Sequence, residues 1–183
     1  MSLLQAIGTQ LARFLTKEHL HNDTYYRISI DDIKSTLKPG DVVLVEGQSR
    51  VSAAIQFITN SNWSHAAIFI GKKESLNHCL IEVKAVEGCT FTDINAYMHH
   101  NLRICRPIFL NKRKRKLLVD HLIKKIGSKY DLKNIIDLIR YIYPNPPVPK
   151  KFRRNLIGIG AGNPTKAICS SLIAEAFKEI DHP

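Results

Sequence analysis

Apolar residues recur at helical spacing near both ends of the chain and gather into strand-like runs between them. Leu3, Leu4, Ile7, Leu11, Phe14 and Leu15 lie three or four apart and predict an N-terminal amphipathic helix. Residues 20–37 read as a polar connection with one short apolar piece. Leu37-Lys38-Pro39-Gly40-Asp41 has the composition of a turn, and Val42-Val43-Leu44-Val45 that of a buried strand. Ser52 to Ile58 fits a short helix. Trp63 to Gly71, Leu80 to Ala85 and Leu102 to Arg106 fit three further strands. The period then changes. Leu118, Val119, Leu122, Ile123 and Ile126 mark a basic amphipathic helix ending at Gly127-Ser128, and Leu132, Ile135, Ile136, Leu138, Ile139 and Ile142 mark another. Pro144 to Pro149 stops that helix, and a long glycine-bearing loop runs on to Asn163. A last helix is marked by Leu172, Ile173, Ala176, Phe177 and Ile180, with Gly162 and Pro164 breaking the chain ahead of it. Strands in the middle with helices on either side predict an α+β domain with a mainly antiparallel sheet, residues 37–183, preceded by a helical extension, residues 1–36.

Composition narrows the possibilities. A chain of 183 residues, 44% hydrophobic and 23% charged, is long enough for one domain with a full core. Its four cysteines include no CxxC pair, which argues against a zinc ribbon or a disulfide framework and suits a reducing compartment. His78-Cys79 and His99-His100 are too close in sequence to resemble metal-ligand spacing and read as surface or hairpin residues. No run reaches the length of a membrane span and no signal peptide is visible, so a cytoplasmic location is expected. The net charge of +11 sits in the C-terminal part, where residues 111–183 hold 16 Lys/Arg against 6 Asp/Glu. Lys112, Arg113, Lys114, Arg115 and Lys116 form one cluster; Lys150, Lys151, Arg153 and Arg154 form another. An anionic membrane surface is one partner such clusters fit; a solvated face is the other reading. Nucleic acid is disfavoured, because no aromatic residues interleave with the first cluster and no nucleic-acid motif is present.

The candidate chemistry centres on Cys169, which falls in the first turn of the last helix. Unsatisfied N–H groups and the helix dipole favour a thiolate there, although a lone cysteine also serves as a small core hydrophobe. A thiolate nucleophile needs an imidazole to take its proton and a polar group to orient the ring. His65 opens a strongly apolar strand, pointing either into packed interior or into a cleft at the strand's end. Glu82 lies between Ile81 and Val83, where a glutamate suits a buried site only if paired. A hairpin of residues 64–70 with 80–85 would bring it beside His65, with Glu87 as the fallback. Cys79, Cys89 and Cys105 fall in or beside strand-like stretches and are expected to be structural.

The ordered set Pro39-Gly40-Asp41-Val42-Val43, Trp63-Ser64-His65-Ala66-Ala67-Ile68-Phe69-Ile70-Gly71, Ile81-Glu82, Lys129-Tyr130-Asp131 and Cys169-Ser170-Ser171 resembles the NlpC-type cysteine peptidase superfamily. More narrowly it resembles its circularly permuted, YiiX-like branch, in which the histidine precedes the cysteine. The resemblance spans roughly residues 37–180. It implies a permuted papain-like fold, with the cysteine helix packed on a small antiparallel sheet and no metal or cofactor required. Cys169 would be the nucleophile, His65 the base, Glu82 the orienting residue, and Tyr130 a cleft tyrosine that positions substrate or stabilises an oxyanion. The expected activity is a thiol hydrolase acting on an amide, in a peptidoglycan-like peptide or a lipid. Two alternatives stay open: an acyltransferase passing the same thioester to a lipid or amine, as in relatives of lecithin:retinol acyltransferase, and a non-enzymatic basic module binding membrane or nucleic acid.

Overall fold

The computed structural model describes Lys17 and residues 29–73, 75–85, 87–128 and 168–182, without the side chains of Ile58, Ile168 and Cys169. The N-terminal stripe, the helix expected at 132–142 and the loop after it lie outside the described residues, as does Tyr130.

The elements follow in the order α1 (Ile30–Thr36), β1 (Val42–Val45), α2 (Arg50–Thr59), β2 (His65–Lys73), β3 (Leu76–Lys84), β4 (Gly88–Asp93), a 3-10 helix (Ile94–Tyr97), β5 (Leu102–Cys105), α3 (Lys112–Lys124) and α4 (Ile168–Glu179). The strands form one antiparallel sheet in the order β4-β3-β2-β1-β5. β2 is its centre, and Ala66 to Ile70 are all buried, as a strand covered on both faces requires. Register fixes which side chains share a face: Val45 opposes His65, Ala67 opposes Val43, and Ile68 opposes Ile81.

Each face has its own core. One packs Ile68, Ile70, Ile81 and Val83 against Leu118 and Leu122 of α3 and Leu172, Ala176 and Ile180 of α4. The other packs Val43, Val45, Ala67, Phe69 and Leu80 against Ile33 of α1 and Ile94 and Tyr97 of the 3-10 helix. The chain leaves β4 at one sheet edge and re-enters as β5 at the other, so Ile94–Tyr97 crosses over this second face.

Two elements depart from the sequence-based expectation. Within the stretch read as a polar connection, α1 forms because Ser29 accepts from the N–H of Asp31 while Asp31 and Asp32 sit in the first turn; Ile30, buried Ile33 and Leu37 at its C-cap hold it to the sheet. β4 was absent from the expected strands. It pairs along its whole length with the second part of β3, from Cys79↔Asp93 to Lys84↔Gly88. β2 also runs past Gly71, where φ is +91° and the register shifts.

The Pro39–Gly40–Asp41 turn locks α3 to the sheet. Gly40 has φ +93°, donates its N–H to Phe69 O at 2.7 Å, and leaves room for a Cβ only 2.8 Å from Leu110 Cδ2. Asp41, buried, accepts from Arg106 Nε at 2.9 Å and Nη2 at 2.7 Å in a two-pronged pair. Gly40→Ala combines left-handed strain with that overlap and is expected to cost about 1–3 kcal/mol. Urea unfolding should show the loss as a lower midpoint at unchanged slope; an unchanged midpoint would contradict the packing described.

Candidate active site

The loops before β2 are built to fix its first residue. Ser64 is buried, donates its N–H to Val45 O, and accepts the Gly47 N–H on its hydroxyl at 3.0 Å. Gln56 of α2 donates to both Gly47 O and Asn62 O, stitching the two loops together. Ser49 caps α2 by accepting from Ser52 N at 3.1 Å. His65 therefore emerges from an anchored strand end, half-buried.

The β2–β3 hairpin brings His65 and Glu82 together, with Nε2 2.5 Å from Oε2. They are diagonal neighbours on the face carrying Leu80 and Tyr97. Glu82 is 1% exposed, and Tyr97 donates its hydroxyl to the same Oε2. The tyrosine arrives by the crossover from β4 to β5. Lys84 Nζ approaches the other oxygen at 3.7 Å and Glu87 at 3.6 Å. Glu87, the fallback partner for His65, is exposed and pairs with this lysine instead.

Burial alone would raise the Glu82 pKa. The hydrogen bond and charge of His65 outweigh it, helped by Tyr97 and by Thr92, whose hydroxyl contributes without a regular hydrogen bond; the pKa falls to about 2. At neutral pH the carboxylate is thus ionised and only accepts. Nε2 of His65 must carry the proton, and in the neutral ring Nδ1 is the basic nitrogen.

Sequence reading missed Tyr97, and it placed His100 at the surface or in a hairpin. His100 is buried, its ring edge-on to Tyr97 at 5.6 Å, because the turn after the 3-10 helix folds it under the crossover. The available signal was the Ile94/Tyr97 pair three apart after an alternating Thr90-Phe91-Thr92 run.

Cys169 is the second residue of α4. The helix direction follows from its ties to α3. Lys114, near the start of α3, donates to Asp181 O at 2.7 Å, and Lys125, just past its end, reaches Glu175 at 2.5 Å. The two helices are antiparallel. The end of α3 is in turn bonded to β4, with Gly127 N donating to Cys89 O and Cys89 N to Ser128 O. Cys89 opposes Val83, one step from the end of the sheet where β2 begins. The N-terminus of α4 thus points toward the His65 end of the sheet, on the opposite face from Glu82. Cys79, Cys89 and Cys105 are in no disulfide among the described residues; Cys79 and Cys89 are buried, and burial pushes the Cys89 thiol up to about 11 despite nearby Lys125.

With this geometry in view, residues 36–143, more than half of the chain, match the family described as permuted papain-like amidase enzymes, YaeF/YiiX, C92 family. The chain belongs to that family. It is 22% identical over 180 residues to the probable lipoprotein peptidase YaeF of Escherichia coli K12, an alignment covering 89% of this chain and 64% of the relative. The chain thus spans about two thirds of that protein's length. It also resembles the crystal structure of the protein YiiX of Escherichia coli O157:H7, described as a metalloprotein, with a TM-score of 0.52 and 16% identity over 78% of this chain and 66% of that one. Among the described residues of this chain, no three His, Cys, Asp or Glu side chains gather where they could hold a metal ion. The α+β fold and the membership of a cysteine peptidase/amidase family agree with the sequence reading. No helix among the described residues is long and apolar enough to cross a membrane.

The Glu82 network sets an acid limit on stability. A carboxyl held at about 2 when folded and near 4.5 when unfolded contributes stability that is complete above pH 4.5 and lost as pH falls from 4.5 to about 2. The amount is on the order of 3 kcal/mol. Glu82→Gln should flatten the unfolding free energy across that window. An equally steep acid limb in the variant would assign the loss to other carboxyls.

Proposed function

We infer that the protein is a thiol amidohydrolase with Cys169 as nucleophile, His65 as general base and acid, and Glu82 as the residue orienting the imidazole. The observation that carries this reading is the buried Tyr97–Glu82–His65 chain at the end of the sheet toward which the Cys169 helix starts. Because α4 and Glu82 occupy opposite faces, this reading requires the thiol to reach the imidazole around the end of the sheet, which suits a histidine at the first position of its strand.

Nδ1 of His65 takes the thiol proton, and the thiolate attacks the amide carbonyl carbon. The oxyanion of the tetrahedral adduct is stabilised by backbone N–H groups at the positive end of the α4 dipole. Collapse breaks the C–N bond as imidazolium Nδ1–H protonates the leaving amine, and an acyl thioester remains. Water, deprotonated by His65, attacks that carbonyl; the acid leaves and the thiol regains its proton. Glu82 stays ionised throughout, holding the ring in one tautomer and stabilising its charged form. The family's description as amidases supports water as the acceptor and an amide as the substrate class, and we propose a peptide or lipid amide within it. Tyr130 is proposed to line the same cleft.

Iodoacetamide labelling of the full chain at neutral pH, read by mass spectrometry, tests the assignment. Cys169 should label first, well ahead of Cys79, Cys89 and Cys105. His65→Ala should slow that labelling, and Cys169→Ala should lower amide hydrolysis by roughly 10³-fold or more. Faster labelling of any other cysteine, or hydrolysis that survives loss of Cys169, would remove it as nucleophile.

A further inference from the structure

The turn between β5 and α3 exposes two large apolar side chains side by side, Ile108 at 71% and Phe109 at 90%. Phe109 holds φ +61°, a region that bulky side chains avoid. The turn is anchored on both sides. Leu110 is buried against Gly40, and Asn111 caps α3 by accepting from Lys114 N at 2.9 Å. Strained backbone in a held turn thus presents an aromatic ring to solvent. Directly beside it, Lys112, Arg113, Lys116 and Leu117 share the outward face of α3, and the first acidic residue on that face is Asp120, two turns on. Of the five clustered cations, Lys114 and Arg115 are engaged with the protein itself, donating to Asp181 O and Leu110 O. Phe57, also exposed, shares its helix with one cation alone, Arg50.

We propose that the Ile108–Phe109 tip together with Lys112, Arg113, Lys116 and Leu117 docks the protein peripherally on an anionic lipid bilayer. The charges fit acidic headgroups, and the apolar pair fits the boundary between headgroups and acyl chains, where aromatic rings favour burial. A purely solvated basic face gives no account of the ring beside it. The patch shares no residue with the His65–Glu82 network, so the proposal stands apart from the catalytic reading.

The test is co-sedimentation of the full chain with vesicles of phosphatidylglycerol mixed into phosphatidylcholine, and with phosphatidylcholine alone. Binding should require the acidic lipid and weaken as salt rises. Replacing Lys112, Arg113 and Lys116 with Gln should lower partitioning by roughly fivefold per residue. Phe109→Gly should lower it by roughly tenfold, while the thermal midpoint stays or rises because glycine tolerates the positive φ. That variant separates docking from a structural role. Equal binding to neutral vesicles, absence of binding to acidic ones, or binding indifferent to Phe109→Gly would each overturn the proposal; the last outcome would leave a general polyanion-binding patch.

Discussion

A carboxylate buried within an interior strand of a sheet is tolerable only if something else in the fold compensates for its lost hydration, and much of the architecture around Glu82 answers that requirement. Stranding an ion in a protein interior costs several kcal/mol. Here His65 on the adjacent strand and Tyr97 from the crossover both converge on Oε2, with Thr92 close by. Removing either principal partner leaves the charge under-satisfied, so the hairpin register, the path from β4 to β5 and the orientation of the imidazole are coupled to one another. The same contacts that make the glutamate bearable give His65 a defined tautomer.

The two faces of the sheet divide the remaining work. One carries this polar chain over an apolar floor. The other receives α3 and α4, whose antiparallel pairing and bonds to Cys89 set the direction in which the last helix begins. Sheet end and helix start are thereby brought to the same side of the domain.

Sequence periodicity served well where the core is continuous. β1, α2, β2, β5 and α3 stand close to their expected positions because several neighbouring apolar residues mark each of them. The pairing of Glu82 with His65 was also legible, since a glutamate flanked by Ile81 and Val83 has to find a partner and antiparallel hairpin geometry supplies one. What escaped reading depends on few residues or on tertiary path. α1 is a seven-residue helix secured by Ile33 with Ile30 and Leu37 at its two ends. β4 is short, polar on one side and begins at a glycine. Tyr97 reaches the site because of which sheet edge the chain re-enters, and no local pattern encodes that. His100, adjacent in sequence to exposed His99, is buried by the turn beneath the crossover.

The opposed polarity of α3 and α4 gives the molecule two distinct poles. The helix carrying Cys169 starts at one; the Phe109 turn sits at the other, beyond the first residue of α3. The 13 residues of α3 set a spacing of about 20 Å between these poles. A surface seated at the Phe109 turn therefore meets the domain about 20 Å from the start of the Cys169 helix. On the proposed docking and catalytic readings, one rigid helix separates the two roles by a distance that about six extended residues of a target would span.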